Sequence, residues 1–141
     1  MSELNIQRFG AGPIKLVAIH GLGSAGTAWK LFQAKLDSRI ELITLDLPGH
    51  GNSRISADKS MTPAQLADFV HQSLKVEGLT RFHLIGNSLG GWVSLEIGAK
   101  FPNSVLSITG LAPAGLWLKP RTHRNFPLSF NRFLAKLLDD H

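Results

Sequence analysis

The chain has 141 residues, which is enough for one domain with a single hydrophobic core. Hydrophobic residues make up 43% and charged residues 18%, as in an ordinary soluble globular protein. A formal net charge of +5 without a dense basic run predicts a solvated basic surface rather than a nucleic-acid partner. Because the chain has no cysteine, a disulfide scaffold, a thiolate nucleophile and a zinc–cysteine site are excluded.

The first residues do not resemble a targeting signal. Residues 1–5 have neither the basic start nor the apolar stretch of a secretion signal. No apolar run approaches the length needed to cross a bilayer. We therefore expect a cytoplasmic protein without a membrane partner, and the composition leaves its oligomeric state open.

Five segments predict the strands of a mainly parallel sheet. Residues 4–9 alternate apolar and polar side chains, which predicts an edge strand that runs antiparallel to its neighbour. The other segments are almost continuously apolar, as expected of parallel strands that are buried on both faces. These four segments are 14–19, 40–45, 82–85 and 105–109.

Helical patterns lie between these strands, and they indicate a doubly wound α/β sheet. The first covers about 26–36, and the second begins at Thr62 with proline at its first helical position. The third covers 88–100. After residue 112 the pattern changes, and the apolar and basic segment 126–138 predicts the start of a helical lid. We thus expect a core domain over 1–112, truncated after about five strands, and an incomplete lid over 113–141.

The segment from Gly86 to Gly90 has the pattern Gly-x-Ser-x-Gly between a predicted strand and a predicted helix. This layout is typical of a nucleophile elbow, in which a serine occupies a strained turn above the sheet. Side chains at the two glycine positions would crowd the crossing of strand and helix. The pattern predicts that Ser88 is a nucleophile.

A second glycine-rich segment follows the first parallel strand and supports two interpretations. Gly21, Gly23 and Gly26 form Gly-x-Gly-x-x-Gly, and Asp46 ends the next parallel strand. These residues satisfy the pattern of a dinucleotide-binding oxidoreductase, in which the acid binds a ribose hydroxyl. Alternatively, the same loop supplies a backbone N–H group to the oxyanion that forms when a serine attacks a carbonyl.

Three motifs in this order resemble the α/β-hydrolase fold family, and the resemblance extends over about 4–115. They are residues 20–24 (HGLGS), 46–53 (DLPGHGNS) and 86–91 (GNSLGG). The resemblance implies that Ser88 is the nucleophile and that Leu22 and Leu89 form the oxyanion hole. It implies hydrolysis of a small ester or similarly activated acyl compound, without a cofactor or metal. Carbon–carbon bond hydrolysis is a close alternative, and a non-catalytic binding protein on this fold remains open.

The sequence departs from this family after the elbow. Family members usually take the catalytic acid and then the histidine from loops after later strands. Only one predicted strand follows Ser88, so we expect the chain to be the N-terminal part of a longer hydrolase that lacks both residues. None of the histidines stands where the family places its base. They are His20, His50, His71, His83, His123 and His141.

Overall fold

The computed structural model describes residues 4–53 and 61–116. The predicted lid helix at 126–138 lies outside the described residues, so the boundary at 113 stays a prediction. The described strands are β1 (Ile6–Phe9), β2 (Ile14–Ile19), β3 (Ile40–Leu45), β4 (Phe82–Asn87) and β5 (Val105–Leu111). The described helices are a 3-10 turn (Gly26–Trp29), α1 (Lys30–Gln33), α2 (Pro63–Val76) and α3 (Leu89–Lys100).

The five described strands form one sheet in the order β1-β3-β2-β4-β5. β1 runs antiparallel to β3, and all other neighbours are parallel. This confirms the predicted mainly parallel sheet with an antiparallel edge strand. Because β2 lies between β3 and β4, the chain reverses its direction of winding at β2. The carboxyl ends of β2 and β4 therefore meet at a switch point, where α/β sheets usually bind their ligands.

Strands β2, β3 and β4 are largely buried on both faces, which explains their nearly continuous apolar pattern. The same expectation is wrong for β5, where five of seven residues are exposed because the strand lies at the edge of the described sheet. On one face, α2 and α3 cover Val17, Ile19, Ile43 and Leu45. On the other face, a smaller cluster joins sheet residues to the segment around α1. Its buried members are Ala18, Trp29, Leu42 and Ile85.

Helix α2 begins where the sequence predicts. The Thr62 hydroxyl accepts a hydrogen bond from the Gln65 N–H at 3.3 Å, and the Gln65 side chain accepts one from the Thr62 N–H at 2.9 Å. This reciprocal cap satisfies two N–H groups that the first helical turn leaves free. The apolar face of α2 packs into the core, because Leu66, Val70 and Leu74 are buried.

The first predicted helix is shorter than the pattern at 26–36 indicates. Its start winds as a 3-10 turn, and the α-helical part ends at Gln33. The Lys35 and Leu36 N–H groups then bond carbonyl groups three residues back, at Phe32 and Gln33. Such bonds tighten the backbone beyond α-helical geometry, so the apolar spacing continues while the α-helix does not.

The described sheet also contains a buried acidic side chain on β3 and an exposed edge strand. On β3, the buried Glu41 side chain accepts a hydrogen bond from Arg8 Nε at 2.7 Å and also pairs with Lys15. At the other side, β5 is the edge strand of the described sheet, with Leu106 and Leu111 exposed. No helix of the described ranges is long and apolar enough to cross a membrane.

Candidate active site

Ser88 lies in the turn between β4 and α3, with φ of 50° and ψ of −113°. A serine with positive φ is strained by about 1–3 kcal/mol, so neighbouring contacts must hold it in place. Its N–H donates to the Leu111 carbonyl at 3.0 Å, and its carbonyl accepts from the Ala114 N–H at 2.9 Å. The last residue of β5 and the residue three positions beyond it thus hold the Ser88 N–H and carbonyl groups in place.

The two glycines of the elbow let α3 cross the sheet at very short distance. A Cβ atom on Gly86 would overlap the Gly90 carbonyl, and one on Gly90 would overlap the Ile19 carbonyl. The same Cβ on Gly90 would lie 2.6 Å from the His20 carbonyl oxygen. The helix that carries Leu89 therefore rests directly on the end of β2.

The loop after β2 lies beside the serine. A Cβ atom on Gly21 would be 3.5 Å from the Ser88 Cβ and 3.5 Å from the Asn87 carbonyl oxygen. The next residue, Leu22, is exposed. Leu89 is the first residue of α3, a position whose N–H has no acceptor within the helix. Leu89 thus directly follows Ser88, and Leu22 follows the glycine that lies beside its side chain, while the role of both in an oxyanion hole stays a prediction.

His20 is buried between this loop and the turn that follows β3. Its Nε2 accepts a hydrogen bond from the Leu47 N–H at 2.9 Å, so its Nδ1 carries the proton and donates to the Gly21 carbonyl at 2.6 Å. Burial lowers the pKa of His20 below its ordinary value, although the Gly21 carbonyl acts in the opposite direction. A neutral imidazole is therefore built into the loop.

His50, in the turn that follows β3, bonds the backbone of the loop after β2 in a similar way. Its Nε2 accepts from the Gly23 N–H at 3.1 Å, and its Nδ1 lies 3.0 Å from the Pro48 carbonyl oxygen. The His20 and His50 rings are 5.1 Å apart. The sequence indicates only that neither histidine stands where the family places its base, and it contains no signal for these backbone contacts.

Asp46 connects the same turn to two other parts of the chain. Its carboxylate accepts hydrogen bonds from the Gly26 N–H at 2.6 Å, the Asn5 side chain at 2.8 Å and the Asn52 N–H at 2.9 Å. Burial acts to raise the pKa of Asp46, but these hydrogen bonds outweigh it and the pKa lies below its ordinary value. Because the carboxylate is already occupied, the geometry argues against the dinucleotide-binding alternative, which needs it for a ribose.

The described histidines all bond groups other than Ser88. Besides His20 and His50, His71 Nε2 lies 3.0 Å from the Ser104 hydroxyl, and His83 Nδ1 lies 2.7 Å from the Ser107 hydroxyl. Within 4–53 and 61–116, the structure therefore does not bring an imidazole to the serine. His123 and His141 lie outside the described residues. The same ranges contain no cluster of acidic, histidine and cysteine side chains that could hold a metal.

A cavity of about 270 Å³ lies between α3 and residues 114–116, so that Ala114, whose N–H bonds the Ser88 carbonyl, is part of its wall. It is lined by Trp92, Leu95, Glu96, Ala99, Ala114, Gly115 and Leu116. The Trp92 indole donates to Glu96 at 3.1 Å. None of the predicted site residues contributes to its wall.

The model of the alpha/beta hydrolase family matches residues 16–140, so the chain belongs to that family. It is 32% identical over 108 residues to the "Putative carbamate hydrolase RutD" of Escherichia coli O150:H5 (strain SE15), covering 77% of this chain and 40% of that protein. It is 34% identical over 110 residues to the "Dihydrolipoyllysine-residue acetyltransferase component of acetoin cleaving system" of Cupriavidus necator, covering 77% and 29% respectively.

Solved structures give the same family. A marine microorganism esterase superposes with a TM-score of 0.72 at 25% identity, covering 78% of this chain and 41% of that one. A bacterial membrane phospholipase A superposes with a TM-score of 0.74 at 30% identity, covering 82% and 39%. The chain thus spans less than half the length of each of these relatives.

Proposed function

We propose that this chain supplies the nucleophile and the oxyanion hole of a serine hydrolase that acts on an ester or a similarly activated acyl compound. The observation that carries this proposal is the strained Ser88 at the strand-to-helix turn, with the Gly21 loop in contact distance of its side chain. A strained backbone at such a position is retained where surrounding contacts enforce it, as they do here.

In the proposed reaction the Ser88 hydroxyl attacks the acyl carbon and forms a tetrahedral intermediate. The N–H groups of Leu22 and Leu89 donate to the oxyanion, and the N-terminal end of α3 adds a favourable dipole. Collapse of the intermediate expels the leaving group and leaves an acyl-enzyme, which water then hydrolyses. A general base takes the proton of the attacking Ser88 hydroxyl and passes it to the leaving group. We assign this base, and the acid that orients it, to residues outside the described ranges.

The names of the relatives support an acyl substrate. They include a carbamate hydrolase, an esterase and an acetyltransferase component. Carbamates, esters and acetyl donors share a carbonyl carbon that is bonded to a leaving group through oxygen, nitrogen or sulfur. We therefore propose this bond type as the one cleaved.

The test compares three forms of the protein that contains this chain: wild type, Ser88→Ala and the control Ser107→Ala, which alters a serine on the edge strand. We expect wild type and control to hydrolyse p-nitrophenyl acetate equally, and Ser88→Ala to lose at least about a thousandfold in kcat. Mass spectrometry after acid quenching should locate the acyl group on the peptide with Ser88. Turnover that survives Ser88→Ala would refute the proposal.

A further inference from the structure

Two histidines join the loop after β2 to the turn after β3, and each reaches across to the other segment. We define the oxyanion loop as residues 20–23 and the β3 turn as residues 47–50. His20 belongs to the oxyanion loop and accepts the Leu47 N–H of the β3 turn. His50 belongs to the β3 turn and accepts the Gly23 N–H of the oxyanion loop. The two segments are thus connected by a reciprocal pair of side-chain bonds.

Both bonds require a neutral imidazole with its proton on Nδ1. In each ring Nε2 is an acceptor and Nδ1 faces a carbonyl oxygen. His20 Nδ1 faces the Gly21 carbonyl, and His50 Nδ1 faces the Pro48 carbonyl. An imidazolium has no acceptor nitrogen, so protonation replaces each N–H···N bond by two facing N–H groups. Among the residues that the structure describes, the ionisable groups facing His20 are His50 and the Asp46 carboxylate.

The connection reaches the reaction centre through one peptide group. The Gly21 carbonyl accepts the His20 Nδ1–H and also the Ser24 N–H at 3.2 Å. Because a trans peptide is planar, its carbonyl and its N–H point in opposite directions. The N–H of that peptide belongs to Leu22, so the bonds that hold the Gly21 carbonyl also determine the direction of the Leu22 N–H.

We propose that His20 and His50 are positioning residues for the oxyanion hole. In the neutral Nδ1–H form they hold the oxyanion loop on the β3 turn and direct the Leu22 N–H, and protonation of either ring releases the loop. The hydrolase therefore has a loss of activity at acidic pH that is separate from the titration of its catalytic base. The expected loss of activity at acidic pH rests on the proposed function, whereas the tautomers and the loop contacts do not.

Nitrogen-15 NMR of the full chain tests the tautomers directly. Long-range correlation spectra recorded from about pH 8 down to about pH 4 bracket the ordinary histidine pKa and extend well below it, because burial lowers the pKa of His20. We expect both rings to carry their proton on Nδ1 at high pH. The amide signals of Leu22, Gly23 and Leu47 should shift in step with protonation of these rings. A ring protonated on Nε2, or a Leu22 signal that does not follow the titration, would overturn the proposal.

Two variants of His50, which is only half-buried, distinguish the hydrogen bond that its ring accepts from the packing of its side chain. In His50→Gln the side-chain oxygen can still accept the Gly23 N–H but cannot be protonated, whereas His50→Leu removes the acceptor. Hydrogen exchange of the Gly23 amide should be about five- to tenfold faster in the leucine variant, the factor expected for one net hydrogen bond, and near wild type in the glutamine variant. His83→Leu is the matched control and should leave this amide unchanged. Equal exchange in both His50 variants would refute the acceptor role.

Kinetics then separate this inference from the proposed function. With p-nitrophenyl acetate, His50→Leu should lower kcat about tenfold at unchanged KM, less than the hundredfold or more expected when an oxyanion donor is removed outright. His50→Gln should retain the wild-type kcat at neutral pH, and its activity should fall less steeply at acidic pH. If no Ser88-dependent hydrolysis exists but the NMR results hold, the loop connection stands and the proposed function falls. If hydrolysis depends on Ser88 but the tautomers are wrong, the function stands and this inference falls.

Discussion

Two alanine substitutions in the same helix should have very different effects on stability. In Gly90→Ala, the new Cβ overlaps the Ile19 carbonyl and lies 2.6 Å from that of His20, and both are backbone groups that cannot rotate away. In Gly98→Ala, the new Cβ meets only the terminal Cδ1 of Ile108 at 2.6 Å, and the next atom is 3.8 Å away. Ile108 lies on the edge strand and is half-buried, so its terminal methyl can move.

The magnitudes follow from these contacts. Overpacking costs about 1–3 kcal/mol, and we take the upper end for Gly90 because backbone must shift. Alanine returns at most about 1 kcal/mol of helix propensity, so Gly90→Ala should lose at least about 2 kcal/mol. For Gly98→Ala the same propensity gain offsets the cost of moving one methyl group, about 0.5–1.5 kcal/mol, and leaves the free energy of unfolding nearly unchanged.

Urea denaturation followed by circular dichroism measures both variants against wild type. The expected difference of about 2 kcal/mol corresponds to about 7 °C in Tm for a chain of this size. Gly90→Ala should also perturb the NMR signals of the oxyanion loop, because the displaced carbonyls immediately precede Gly21. If the two variants are equally stable within about 0.5 kcal/mol, the close crossing of α3 over β2 is wrong.

Three further substitutions test other contacts. Hydrogen bonds from its two cationic neighbours lower the pKa of Glu41 to about 2, so its stabilising effect is complete above about pH 4.5 and is lost as the pH falls toward 2. Glu41→Gln should therefore lower the urea midpoint at pH 7 and change it little at pH 2. Asp46→Asn replaces one carboxylate oxygen by an NH₂ group, which then faces at least one of the three N–H donors that Asp46 now accepts, so thermal unfolding should show a loss of about 1–3 kcal/mol. The control Asp68→Asn alters an exposed ion pair with Lys100 and should cost less than about 1 kcal/mol. Burial lowers the pKa of His71, so the folded protein loses stability as the pH falls below the ordinary histidine value of about 6.5. His71→Phe keeps the stack on Phe101 and should reduce this loss of Tm between pH 7.5 and 5.5.

The strands and the elbow were predictable because their sequence signals are local. A parallel strand buried on both faces must be apolar throughout, and an elbow that crosses the sheet closely must have glycine at Gly86 and Gly90. The capped start of α2 at Thr62 is equally local. Each of these signals depends on residues that are close together in the chain, and the structure has the corresponding elements within one or two residues.

The roles of Asp46, His20 and His50 could not be predicted in the same way. The spacing of Asp46 from Gly26 fits a ribose-binding acid as well as a turn anchor. Only the three hydrogen bonds to its carboxylate distinguish the two. The histidine contacts depend on β2 and β3 lying side by side, which brings residues 20–23 next to 47–50. A single histidine in a sequence does not indicate which backbone groups will surround it.

The order of strands in the sheet determines when the site can form during synthesis. Strand β2 is translated early. Its neighbour β4 is translated only after β3 and the whole of α2, so Leu16 cannot pair with His83 before then. Pairing of strands so distant in sequence is slow because a long loop has to close first. Until then the end of β2 lacks the helix that crosses it, and the loop with Gly21 has no serine beside it. A nascent chain therefore contains residues 20–23 well before it contains Ser88, and the two can come together only after β4 has been translated.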